Sequence, residues 1–257
     1  MTFSLFSLRG LAIVAAFFLA GIIDSICGGG GLVTIPVMML TGMPVHLIPG
    51  TNQCSTTLGN IVSVAKYARE RIIRYEVAIP AIPFAILGAF FGSRLNMVLS
   101  ERVLQYVMMG LIPVMAVLML VKRDFGTESA LRSLSRTQVF LRAALTGLVV
   151  GTYQGFYGPG AGMLFLMAFT LLLRMGLLEA TGTVRLVGMC ASLSATITYA
   201  VGGQVAWQLA GACMVVNILG SYLGSLLAIK NGARLIRPLM LVVLLLLAAN
   251  ILSSLLG

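Results

Sequence analysis

The sequence predicts an all-α polytopic membrane protein. It is built from two inverted five-segment repeats, with about 8–10 membrane helices and a short or re-entrant helix after each glycine-rich break. Three observations predict it. Of 257 residues, 59% are hydrophobic and 9% charged, against about 25% charged in a soluble domain. Such a composition cannot cover a surface facing water. The apolar residues fall into segments separated by short polar loops. The chain also repeats itself: Ala85-Ile86-Leu87-Gly88 and Phe91-Gly92-Ser93 return 132 positions later as Asn217-Ile218-Leu219-Gly220 and Leu223-Gly224-Ser225.

Other positions share that frame. Gly50-Thr51 matches Gly182-Thr183, Tyr67 matches Tyr199, and Arg102 matches Arg234. The run Gly28-Gly29-Gly30-Gly31-Leu32 matches Gly158-Pro159-Gly160-Ala161-Gly162-Met163, one residue out of frame. The expected organisation is one membrane transporter domain over 1–257. A first repeat occupies 8–121, a cytoplasmic linker 122–138, and a second, inverted repeat 139–257.

Ten apolar segments follow in order, near residues 11–26, 32–40, 52–64, 77–91, 103–121, 139–153, 163–173, 183–201, 207–229 and 239–256. The first runs into the repeat unit and reads as a retained helix rather than a cleaved signal. The second and seventh are too short for a span of about 20 residues. Each follows a glycine run and ends at a polar break, Thr41-Gly42 or Arg174-Met175-Gly176. Paired short segments of this kind point to a transport site.

The formal charge of +10 is distributed by loop. Lys66, Arg69, Arg71, Arg74, Lys122, Arg123, Arg132, Arg136, Arg174, Lys230, Arg234 and Arg237 fall on one side of the counted segments, and Arg9, Arg94 and Arg102 on the other. The basic side is expected to be cytoplasmic and both termini to face outward. Five segments per half is an odd number, which inverts the second half. Basic residues are not interleaved with stacking aromatics, so nucleic acid is not an expected partner. The expected partners are a small anion and the lipid bilayer, with a homo-oligomer left open. Trp207, Tyr199 and Tyr222 read as interfacial anchors.

Candidate binding residues start with the glycines: Gly28, Gly29, Gly30 and Gly31, and Gly158, Gly160 and Gly162. Glycine lets backbone approach a ligand closely, and a half-helix that starts there offers N–H groups and a positive dipole end to an anion. Close helix packing explains a glycine run equally well. The third segment opens on a polar cluster containing Thr51, Asn52, Gln53 and Ser55. Its counterpart in the second half opens on Thr183 and Arg185. Arg185 sits in an apolar run, where a charge is costly and faces a cavity, a substrate or a partner. Its alternatives are a place near the interface, with the side chain snorkelling to water, or a pairing with Glu179 or Asp24. Asp24, an acid inside an apolar stretch, is either a proton-coupling group or the counter-ion of a basic residue. Gln154, Tyr153 and Tyr157, just before the second glycine run, add donors.

No HExxH, GxSxG or Walker loop occurs in the sequence, so no catalytic residue, enzyme activity or cofactor is expected. Cys27, Cys54, Cys190 and Cys213 show no CxxC spacing, and no metal site is expected. Without a nucleotide site, transport is expected to run on a gradient or to be passive.

The stretches AGIIDSICGGGGLVTIPVMMLTGMPVHLIPGTN, GAFFGSRL, GLVVGTYQGFYGPGAGM, EATGTVRLVGMCASLSATITYAVGGQVAW and GSYLGSLLA together resemble the TauE/SafE sulfite-exporter family of membrane permeases. The resemblance implies a bacterial inner-membrane protein that moves small sulfur-containing oxyanions such as sulfite or organosulfonates, commonly outward; with two repeats facing each other, a secondary transporter working by alternating access is expected. It carries the family's site residues onto the glycine runs, Thr51, Asn52, Thr183 and Arg185. Asn52-Gln53-Cys54 and Gly158-Pro159-Gly160 depart from the commoner family pattern. Two other readings stand beside it. One is a cation or metal-ion permease using Asp24 and Asn52; the other is a non-transporting membrane assembly factor.

Overall fold

A computed structural model describes residues 8–40, 42–100 and 134–236, with the single positions 103, 131, 238, 239 and 242. Among the described residues the secondary structure is helical. The helices are α1 (Leu8–Cys27), α2 (Gly31–Leu40), α3 (Leu47–Arg69), α4 (Tyr75–Val98), α5 (Arg136–Phe156), α6 (Ala161–Leu172), α7 (Leu177–Val201) and α8 (Trp207–Asn231). The expected segments near 103–121 and 239–256, and most of the linker, lie outside the described residues.

Helices α4, α7 and α8 are long and apolar enough to cross a membrane. Helices α2 and α6 have 10 and 12 residues. At 1.5 Å per residue they reach about half of a hydrocarbon core of about 30 Å. Both start directly after a glycine break, as the sequence predicts.

Two helix starts differ from expectation. Helix α3 begins at Leu47 and α7 at Leu177, upstream of the expected starts at Asn52 and Thr183. Gly50 and Gly182 therefore lie inside helices rather than breaking them. They are small because neighbours crowd them. A Cβ on Gly50 would lie 2.2 Å from the Gln204 carbonyl oxygen, and one on Gly182 would lie 2.9 Å from Ile72. Pro49 is accommodated because the first helical turn needs no N–H partner there.

Helix α1 packs on α8, and α4 on α5. Helix α3 lies against α8, α4 against α7, and α3 against α7. Small residues allow the closest of these approaches. A Cβ on Gly88 or Gly92 of α4 would fall 2.4 or 2.0 Å from the Leu148 or Thr152 carbonyl oxygen of α5. A Cβ on Gly220 or Gly224 of α8 would fall 2.2 or 2.5 Å from the Phe18 or Ile22 oxygen of α1. Hydrogen bonds pair in the same way. Thr51 Oγ1 accepts from the Ala206 N–H, and Thr183 Oγ1 from the Arg74 N–H, each at 3.0 Å. Tyr67 donates to the Ser25 carbonyl at 2.9 Å, and Tyr199 to the Gly155 carbonyl at 2.8 Å.

Tyr199 is thus a buried cross-brace rather than an interfacial anchor, and Trp207 is exposed. The outward faces of α4 and α8 carry large apolar side chains, among them Leu87, Phe91, Leu95, Leu219 and Leu223. That is the surface expected against lipid.

Candidate functional site

The two glycine breaks touch. Gly28 has φ +83°, Gly158 +95° and Gly160 +74°, the left-handed region that glycine adopts without cost. A Cβ on Gly28 would lie 2.4 Å from the Gly162 carbonyl carbon, and one on Gly31 would lie 2.9 Å from Pro159 Cα. Side chains at these points would force the breaks apart. The Pro159 carbonyl accepts from the Tyr153 hydroxyl at 2.6 Å, which fixes the second turn.

Beside this contact lies a cavity of about 40 Å³, room for about three waters. Its walls come from both sides of the linker: α1, α3, the two breaks, α5 and α7. One end is charged. Arg185, in the third turn of α7, is 5% exposed. Its Nη1 donates to Asp24 Oδ2 at 2.8 Å and to Asn60 Oδ1 at 3.3 Å. Asp24 Oδ1 accepts from the Gly30 N–H at 3.3 Å, so the carboxylate also faces the start of α2. Arg185 Nε is buried without a hydrogen-bond partner. The guanidinium rests on Gly162, where a Cβ would sit 2.7 Å from Nη2.

The other end is neutral. Gln53 Nε2 donates to the Gln154 carbonyl at 2.7 Å, and Ser192 Oγ donates to Gln53 Oε1 at 3.0 Å. Gln154 Nε2 donates to the Gly188 carbonyl at 2.9 Å and to Ser192 Oγ at 2.7 Å. Gln154 Oε1 is buried without a partner. The two ends correspond position by position. Gln53 stands 132 residues before Arg185, Asn60 132 before Ser192, and Asp24 130 before Gln154.

Of the residues singled out from sequence, Asp24, Gly28, Gly31, Asn52, Gln53, Gln154, Gly158, Gly162 and Arg185 line the cavity. Asn52 Oδ1 accepts from Thr34 at 2.6 Å. The others are placed differently. Thr51 and Thr183 are held by backbone N–H groups of the loops they face, and Ser55 donates to the Thr51 carbonyl at 2.7 Å. Gly160 caps α6, Gly30 faces Asp24, and Gly29 is buried. Arg185 pairs with Asp24, while Glu179 pairs with Arg74. Lys66 stacks over the Tyr222 ring at 4.6 Å. Ser192 and Gly188 were not singled out from sequence. The internal frame was the available signal for Ser192, since it is the counterpart of the polar Asn60.

Such a cavity can hold one small ligand, with a cation and its counter-ion at one end and amide and hydroxyl groups at the other. Among the described residues, no group of three or more His, Cys, Asp or Glu could hold a metal ion.

Residues 13–251 match the family described as "Sulfite exporter TauE/SafE". Three bacterial relatives span nearly the same length. "Probable membrane transporter protein YfcA" of Escherichia coli (strain K12) is 31% identical over 252 residues, covering 97% of this chain and 93% of the relative. "Probable membrane transporter protein ORF9" of Sinorhizobium sp is 30% identical over 249 residues, covering 97% and 94%. A "Probable membrane transporter protein" of Haemophilus influenzae is 29% identical over 225 residues, covering 88% and 87%. No solved structure matches the chain.

Proposed function

The chain belongs to the TauE/SafE sulfite exporter family, and we propose that it moves small sulfur-containing oxyanions, such as sulfite, outward across the bacterial inner membrane by alternating access. The observation that carries the reading is Arg185: a buried guanidinium on a cavity wall, with Nε unpartnered. A guanidinium suits an oxyanion because its planar N–H groups match two oxygens. A cavity of about 40 Å³ suits a small one.

Asp24 holds the anion's place in this state. An incoming oxyanion competes with its carboxylate for Arg185. Protonating Asp24 removes that competition, so Asp24 is the coupling group in this reading. Among the described residues, Cys27 on the same helix and Tyr67 on α3 are titratable groups in the field of this pair.

The inverted repeat is supported by reciprocal contacts. Where α1 meets α8, α5 meets α4; where α3 meets α8, α7 meets α4. Reciprocity of this kind is the mark of a two-fold relation, and an odd number of crossings per half would place its axis in the membrane plane. Rocking one half against the other would open the cavity to alternate sides, with basic loops cytoplasmic. A cation permease is disfavoured by the same geometry: among the described residues, one carboxylate lines the cavity and Arg185 neutralises it.

The test is sulfite flux in proteoliposomes with Arg185→Gln. Glutamine already stands at the matched position 53, so the variant should fold. Loss of more than tenfold in flux, with an unchanged elution profile and a melting transition lowered by the stranded Asp24 carboxylate, is the expected outcome. Undiminished flux would remove Arg185 from the site.

A further inference from the structure

Resting on the reading of the cavity as an anion site, we infer that it takes its ligand as a singly charged oxyanion that still carries a hydrogen-bond donor, hydrogen sulfite rather than sulfite, and excludes dianions. Two independent observations lead there.

The first is charge. Among the described residues, Arg185 is the one cation on the cavity wall and Asp24 opposes it. The most positive state of the site, with Asp24 protonated, carries a single positive charge. A monoanion is matched by that charge. A dianion would leave a negative charge uncompensated in a site removed from water, which is the costly arrangement.

The second is the acceptor at the neutral end. Gln154 is 7% exposed. Its Nε2 donates to the Gly188 carbonyl, which can only accept, so the orientation of the amide is fixed. Oε1 is consequently the group left unpartnered. It borders the open side of Gly188, where a Cβ would find this oxygen alone within 4 Å, at 3.8 Å. A buried acceptor without a partner calls for a donor. A fully deprotonated oxyanion has none and would set lone pair against lone pair. A protonated oxygen at this end, with its remaining oxygens toward Arg185 Nε, satisfies both orphaned groups at once. Sites that hydrogen-bond a ligand proton reject the analogue without it more strongly than sites that sort by size.

The experiment is competition against radiolabelled sulfite flux in proteoliposomes at acidic pH, using two pairs of competitors matched in shape. Methylphosphonate monoanion and methanesulfonate share shape and charge, and the first alone carries a donor; dihydrogen phosphate and sulfate share shape, and the second is a dianion without a donor at that pH. The donor-bearing monoanion of each pair is expected to compete about tenfold better, and Gln154→Met is expected to narrow the gap within the first pair. If all four prove too large to enter, a pH series at constant total sulfite decides, with flux expected to follow the hydrogen sulfite concentration. Equal competition within the pairs, or flux that follows the dianion, overturns the inference while leaving an anion site. Absence of saturable sulfite flux in the unmodified protein overturns this inference and the proposed function together.

Discussion

Asp24 and Arg185 neutralise each other, and that pairing determines what each substitution does. Removing the cation strands a carboxylate; removing the acid frees a guanidinium. Asp24→Asn is therefore expected to bind sulfite more tightly and to exchange it across the membrane, but to lose the stimulation by an imposed proton gradient. Flux with and without that gradient, in proteoliposomes, checks it; a variant still driven by the gradient would clear Asp24 of a coupling role. These two charges were legible in the sequence because an ion in an apolar run needs a partner or a cavity. The hydroxyls were not. Thr51 and Thr183 sit where a ligand-binding helix start was expected, but each accepts a backbone N–H from a loop 155 or 109 positions away in the chain. Nothing local encodes that partner. Gln154 was noticed as a donor, yet its free oxygen follows from where the Gly188 carbonyl falls, which is again a tertiary fact.

At the scale of elements, the site depends on two half-length helices meeting at bare backbone. Gly28→Ala combines a left-handed φ with a collision against Gly162, and Gly162→Ala meets both Gly28 and the Arg185 guanidinium. Each is expected to cost on the order of 3 kcal/mol of stability and to abolish flux. Gly211→Ala in α8 meets no atom within 4 Å, so it is the control, expected to be neutral or stabilising by up to about 1 kcal/mol. Melting of the purified variants in detergent would compare them; an unharmed Gly28→Ala would mean that the breaks do not need their close contact. The short helices could be read in advance, because length and flanking glycines are local properties. The starts of α3 and α7 could not. Gly50 and Gly182 look like breaks in sequence, whereas the crowding by Gln204 and Ile72 that requires them comes from distant chain.

At the scale of the whole molecule, the proposed function requires two copies related by inversion around one anion cavity. Arg71 and Gly203 occupy matched exposed turns, both with positive φ, at +57° and +69°. In a background without the native cysteines, Arg71→Cys should react with an impermeant maleimide from the cytoplasmic side only and Gly203→Cys from the periplasmic side only. Labelling of both from one side would rule out inversion. The internal sequence matches were legible because they are spread along the chain, whereas the chemical difference between the two ends of the cavity, one charged and one neutral, emerged only when matched positions were brought together. The most direct measurement is an anomalous-scattering map of the protein with selenite, a heavier relative of sulfite. The account predicts a selenium peak in the cavity between Arg185 and Gln154, lost in Arg185→Gln. A map with no peak there, or with the peak unchanged in that variant, would contradict it.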